Sequence, residues 1–181
     1  REHLEPYGAA EAARILADHG MTVPAFVRGG FFTGDAAARS AAIDANKQML
    51  DQAATIGAEQ MVLVVGATPG IPLAEARKQV RDGIAACLDH ARACGVRLAI
   101  EPLHPMYAGD KSCITSLRQA RGIWEDLADP MLGVAVDVYH VWFDDALAEE
   151  IRLAGEAGRL FGFHVCDWKC DTGHLLTDRG L

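Results

Sequence analysis

The sequence predicts an α/β fold, read as about five strands of an incomplete (β/α)8 TIM barrel. Three observations carry this. Short apolar runs at 61–65, 96–100, 132–138 and 160–166 do not alternate with polar residues, as expected of parallel strands covered on both faces. Helical segments separate them. Polar groups close strand after strand, namely Glu101, Asp137, and His164 with Asp167, and in a barrel those C-terminal ends share one mouth.

In chain order, the first helix is expected over 6–19, with Gly20 free to end it, and a strand over 22–27 follows. A long helix is expected over 35–56. Its Ile43, Met49, Leu50, Ala53, Ala54 and Ile56 keep near one face, while Asp44, Lys47, Gln48 and Asp51 fall outside it. Gly57 and Gly95 suit the turns that lead from helices into the strands at 61–65 and 96–100. Further helices are expected over 73–94, 114–127 and 145–153. No G-x-G-x-x-G turn follows a strand and there is no Walker motif, which disfavours a dinucleotide-binding open sheet.

A closed barrel takes roughly 250 residues and eight strands. With 181 residues and no initial methionine, the chain reads as a single incomplete domain over 1–181. A front portion and at least the last strand are expected beyond it, and the fragment alone is expected to be inactive. Seventeen Lys and Arg against 25 Asp and Glu give a net charge of −8, so nucleic acid is not an expected partner. No stretch approaches the ~20 apolar residues of a membrane helix, and a soluble cytoplasmic protein is expected. A homo-oligomer is possible for the full-length protein. Cys87, Cys94, Cys113, Cys166 and Cys170 are odd in number and scattered, and read as reduced thiols. The spacing of Cys166 and Cys170 is not a usual zinc pair, and both read as small packing residues.

Three groups carry chemistry. Glu101 ends one apolar strand within Glu101-Pro102-Leu103-His104-Pro105; Asp137 ends another within Asp137-Val138-Tyr139-His140; His164 lies in the third, before Val165-Cys166-Asp167-Trp168. Singly, each has an ordinary reading, as a strand-end carboxylate or a hydrogen-bonded packing histidine. Together, mixed oxygen and nitrogen donors from three successive strand ends suit Mn²⁺, Co²⁺, Mg²⁺ or Zn²⁺, with positions left for a substrate.

These strings, with Asp178-Arg179-Gly180, resemble the xylose isomerase-like barrel superfamily, and within it the sugar phosphate isomerase/epimerase branch. That branch includes ketose 3-epimerases, hydroxypyruvate isomerase and inosose-processing enzymes. The resemblance implies that the strands present are approximately strands three to seven of the barrel, and that a divalent ion is held by Glu101, Asp137 and His164, with a fourth ligand, a glutamate, on an eighth strand. It implies that His140 faces substrate oxygen and that an arginine after the metal histidine holds substrate. Arg179 is the candidate, at a longer spacing from His164 than in ketose epimerases. The implied reaction is isomerisation or epimerisation of a sugar or sugar phosphate by proton abstraction next to a carbonyl through an enediolate, with Glu101 and the further glutamate as the acid/base pair.

Arg28 could hold a substrate carboxylate or phosphate, or be a surface arginine before a Gly-Gly turn. His104 and Tyr107 are expected at the mouth, and Asp167 as a substrate contact or a support to the site. Trp168 is expected to wall off the sugar from water, whereas Trp142 and Phe143 are expected to pack against helices. His3, His19, His90 and His174 receive no role. The alternatives are an inosose dehydratase-type lyase, an abasic-site endonuclease, and a non-catalytic sugar- or metal-binding module. The endonuclease needs extra histidines after the earlier strands, and Val27-Arg28-Gly29-Gly30 and Val65-Gly66-Ala67-Thr68 hold none.

Overall fold

A computed structural model of the chain describes residues 4–168 together with 179 and 180, with only the backbone path given at 167, 168, 179 and 180. Five strands, β1 (Phe26–Gly30), β2 (Gln60–Val64), β3 (Arg97–Ile100), β4 (Leu132–Asp137) and β5 (Leu160–His164), form one sheet in sequence order. Every neighbouring pair is parallel. Helices α1 (Ala9–Asp18), α2 (Ala36–Thr55), α3 (Leu73–Cys94) and α4 (Leu117–Leu127) alternate with the strands, and α5 (Val138–Val141) and α6 (Leu147–Glu156) lie between β4 and β5. A two-residue pair, β6 (Asp167–Trp168) with β7 (Arg179–Gly180), is antiparallel. Strand order that follows sequence order, with a helix in each crossover, is the winding of a β/α barrel.

The period of two along each strand divides the side chains between two faces. Met61, Leu63, Leu98, Ile100, Leu132, Val134 and Val136 enter the large core shared with the helices. Their neighbours Val62, Ala99 and Ala135 form a separate cluster on the other face. The same alternation puts Glu101 on the face of Ala99 and Asp137 on the face of Ala135. His164 follows by register, since Gly162 pairs with Ala135 and His164 with Asp137. The small residues of the inner face thus lie beneath the polar ones.

The first strand lies later than the sequence suggests, at Phe26–Gly30 rather than 22–27. Pro24 has no N–H to give to a ladder, and Gly29 and Gly30 sit inside the strand because nothing larger fits. A Cβ at Gly30, whose φ is +112°, would lie 2.1 Å from the Val64 carbonyl oxygen. Asn46 on α2 clamps that residue: its Oδ1 accepts from Gly30 N–H at 2.7 Å and its Nδ2 donates to the Gly30 carbonyl at 2.8 Å. Asn46, left off the apolar face by sequence pattern, is therefore buried.

Other boundaries shift by local chemistry. Helix α4 starts at Leu117 because the Ser116 hydroxyl accepts from Gln119 N–H, and α6 runs three residues further than expected. β4 stops at Asp137, whose carboxylate accepts from Tyr139 N–H at 2.9 Å and opens α5, so His140 lies in a helical turn. Cys87, Cys94, Cys113 and Cys166 are free thiols; Cys170 lies outside the described residues. Among the described residues, no helix is long and apolar enough to cross a membrane.

One buried charge ties α4 to α6. Glu150 is 3% exposed and takes the Arg121 guanidinium on both oxygens, at 2.7 and 3.1 Å, with Arg118 at 3.3 Å. The hydrogen bond from Arg121 is the first reason its carboxyl sits below the usual range. Its contribution to stability is thus complete above the unfolded value of 4.5 and is lost as pH falls through the lowered folded value. We expect Glu150→Gln to cost about 2 kcal/mol at neutral pH, below the usual cost of breaking a buried pair because both arginines retain access to water. Urea denaturation at pH 7 and at pH 3 checks this, since the difference between the two proteins should shrink at the lower pH.

Candidate active site

Glu101 lies one residue beyond β3, Asp137 closes β4 and His164 closes β5. Their ligand-capable atoms all lie within 4.8 Å of one another. Glu101 and Asp137 are 8% and 7% exposed. His164 Nδ1 is 2.9 Å from Glu101 Oε1, and Cys166 Sγ approaches Asp137 Oδ1 at 3.4 Å. The Glu101 hydrogen bond, helped by the charges of Glu101 and Asp137 and opposed by burial, holds the His164 imidazole above its ordinary pKa. Two buried carboxylates facing one imidazole draw positive charge to this point, and a single proton does not balance them. The donor set and its convergence therefore fit a divalent cation.

A cavity of about 240 Å³ opens onto the cluster, lined by Glu101, Asp137, His140 and His164 with Arg28, Val27, Val64, Leu103, Tyr107 and Lys111. That is below the roughly 300 Å³ at which drug-sized pockets begin, and suits a small polar molecule. A larger hollow of about 350 Å³ lies between Leu4, Tyr7, Ala12, Ile15, Leu16 and Ile56. Among the described residues its walls are apolar apart from the Tyr7 hydroxyl.

His140 is 6% exposed, and its Nδ1 accepts from the His104 main-chain N–H at 3.3 Å. That bond assigns the ring proton to Nε2 and makes that nitrogen a donor. Arg28 sits at a bulge in β1, where the pairing with β2 skips from Val27 to Gly29, and such irregularities re-aim side chains beside sites. It reaches the cavity from within the strand rather than from its exit.

His104 is not among the lining residues. Its ring stacks on Trp142 with centroids 6.5 Å apart, meets Phe143 edge-on at 5.0 Å, and accepts from Met106 N–H. Trp142, expected to pack against helices, is instead 57% exposed in this aromatic group. Cys166, expected as packing, is half-buried against a site carboxylate. The side chains of Asp167, Trp168 and Arg179 lie outside the described residues.

Sequence reasoning passed over Lys111. Its ammonium lies 4.4 Å from the Tyr107 ring centroid, a cation–π contact that holds it at the cavity wall. Neither Arg28 nor Lys111 has an ion-pair partner among the described residues. The local string Gly109-Asp110-Lys111 looks like any polar loop, and only the Tyr107 that begins the same turn hints at a fixed position.

The sequence matches the family model of the xylose isomerase-like TIM barrel over residues 1–181. No curated protein matches it at a significant level. A protein from Sinorhizobium meliloti 1021 has a crystal structure that superposes with a TM-score of 0.95 at 48% identity. That similarity covers 100% of this chain and 66% of the other, so the chain spans just under two-thirds of that relative's length. The 3-keto-D-glucoside 4-epimerase YcjR of E. coli matches with a TM-score of 0.76 at 19% identity, over 92% of this chain and 68% of its own. The IOLI protein, solved with a bound zinc atom, matches at 0.78 and 24%, over 99% of this chain and 64% of its own. These last two share the fold, and the family match runs the full length of the sequence. The chain belongs to the xylose isomerase-like TIM barrel family.

Proposed function

We propose that the full-length protein is a divalent-metal-dependent isomerase or epimerase of a sugar or sugar phosphate. The observation that carries this is the convergence of two buried carboxylates and an imidazole from three successive strand ends on one small polar cavity. Solved structures that share the fold include a 3-keto-D-glucoside 4-epimerase and a D-psicose 3-epimerase, which supports the same reading.

Glu101, Asp137 and His164 would hold the ion. When bound, the ion supplies Lewis acidity that polarises a carbonyl and acidifies the adjacent C–H. Glu101 takes the proton: the C–H bond breaks, the carboxyl O–H forms, and the electron pair moves into the carbonyl to give an enediolate. Return of a proton to the neighbouring carbon, with the hydroxyl proton passing from one oxygen to the other, gives the isomer, and return to the opposite face of the same carbon gives the epimer. His140 donates from Nε2 to a substrate oxygen, steadying charge as it builds there. Leu103 and Tyr107, both buried, line the cavity alongside His140.

Arg28 and Lys111 supply positive charge at the wall for a substrate carboxylate or phosphate. Lys111→Met should raise the KM for a phosphorylated ketose about tenfold, the worth of one charged hydrogen bond, and leave KM for the neutral sugar unchanged. Steady-state assays on both sugars check this. The activity itself is tested by incubating the full-length protein with Mn²⁺, ketoses, ketose phosphates and inososes in D₂O. Deuterium entering the carbon next to the carbonyl, abolished by a chelator and restored by the metal, is expected. A saturable release of water from an inosose would instead indicate a dehydratase.

A further inference from the structure

The geometry points to a second cation site, formed by Asp51, His90 and Cys94 on the outer helices, for a borderline divalent ion of the zinc type. Its donors come from two elements, with Asp51 and His90 lying 39 residues apart in sequence, and are of three chemical types. His90 Nε2 is 2.8 Å from Asp51 Oδ1, Cys94 Sγ is 3.5 Å from the same oxygen, and all three atoms lie within 4.8 Å of one another. His90 and Cys94 are one helical turn apart on α3, so their side chains leave the same face. Asp51 meets them from α2. Tetrahedral zinc with nitrogen, oxygen and sulfur ligands needs donor separations of about 3.3–3.8 Å. The sulfur–oxygen distance is already in that range, and the nitrogen–oxygen pair must open by about half an ångström around the ion.

The plain alternative is a surface ion pair with a thiol beside it. Two features go further than that. His90 and Cys94 stand in the last two turns of α3 and Asp51 close to the end of α2, so the negative ends of two helix dipoles face the same spot and favour a cation. The thiol is aimed at the carboxylate, with Cys94 Sγ–H donating to Asp51 Oδ1, and an ion in the same place would stabilise the thiolate. A nitrogen, a sulfur and one oxygen select zinc, cobalt or nickel over magnesium or calcium.

This cluster is separate from the cavity. The C-terminal ends of α2 and α3 lead into the N-terminal ends of β2 and β3, and Glu101, Asp137 and His164 lie at the opposite ends of the strands. A bound ion would therefore act as a staple between α2 and α3. On binding, the Cys94 S–H bond breaks, a sulfur–metal bond forms and the proton leaves to solvent, while the His90 ring takes the Nδ1–H tautomer and gives its Nε2 lone pair to the ion.

The test is titration of the reduced full-length protein with Co²⁺, followed by near-ultraviolet absorption. A thiolate-to-cobalt charge-transfer band should saturate with one equivalent bound beyond whatever Co²⁺ the Glu101, Asp137 and His164 cluster takes up. It should be absent in Cys94→Ser, need at least about tenfold more Co²⁺ in His90→Gln, and persist in Cys166→Ser, which removes the thiol beside the catalytic cluster. Zn²⁺ should also raise the melting temperature of wild type more than that of Cys94→Ser. No saturable band, a band retained by Cys94→Ser, or a band lost in Cys166→Ser would each overturn the proposal. All of these readouts are independent of turnover.

Discussion

Glu101→Gln in the full-length protein should slow exchange between the substrate carbon and solvent by at least about 10³-fold, within the range that loss of a positioned general base produces. The amide keeps the volume of the side chain, and its oxygen can still accept from His164 Nδ1. What it loses is the basic oxygen and one negative charge. Deuterium incorporation from D₂O, followed by NMR, reads the first loss directly, and an unchanged circular dichroism spectrum shows that the fold is intact. Exchange at the wild-type rate would take Glu101 out of the role of base.

Asp137→Asn separates charge from structure at the neighbouring strand end. The aspartate opens α5 by accepting from Tyr139 N–H, a bond that the asparagine oxygen also makes, and both residues are good helix caps. Stability should therefore change by less than about 1 kcal/mol. Affinity for Mn²⁺ should fall more than about 100-fold, beyond the loss typical of a group that only supports a ligand. Calorimetric titration and thermal melting on the same samples measure the two quantities. A large loss of stability with metal binding preserved would make Asp137 a structural cap alone.

Most of the sheet was legible because the apolar runs of β2 to β5 are continuous and are bounded by glycines and by polar strand ends. The parity of the strand residues then carried Glu101 and Asp137 to one face, and parallel register brought His164 beside them. β1 was misplaced because Gly29 and Gly30 read as a turn, whereas their lack of side chains is a demand of close packing against Asn46 and Val64. Asn46 and Glu150 look like ordinary polar helix residues until the partners that bury them, Gly30 in one case and Arg121 in the other, are known.

The site was legible where its residues sit on strands and obscure where they sit on loops. Lys111 is placed by a tertiary contact with Tyr107, and its neighbours in sequence carry no such signal. His104, which shares a motif with Glu101, was read toward the cavity, yet Trp142 and Phe143 draw its ring into an aromatic group. The Asp51, His90 and Cys94 cluster depends on how α2 packs on α3, which no local pattern contains.

The most direct test of the proposed site is an anomalous-diffraction map of crystals of the full-length protein grown with Mn²⁺. The account predicts one strong peak bonded to a Glu101 oxygen, an Asp137 oxygen and a His164 nitrogen, each at roughly 2.0–2.4 Å. Full occupancy elsewhere, with these three side chains bonded only to one another, would contradict it.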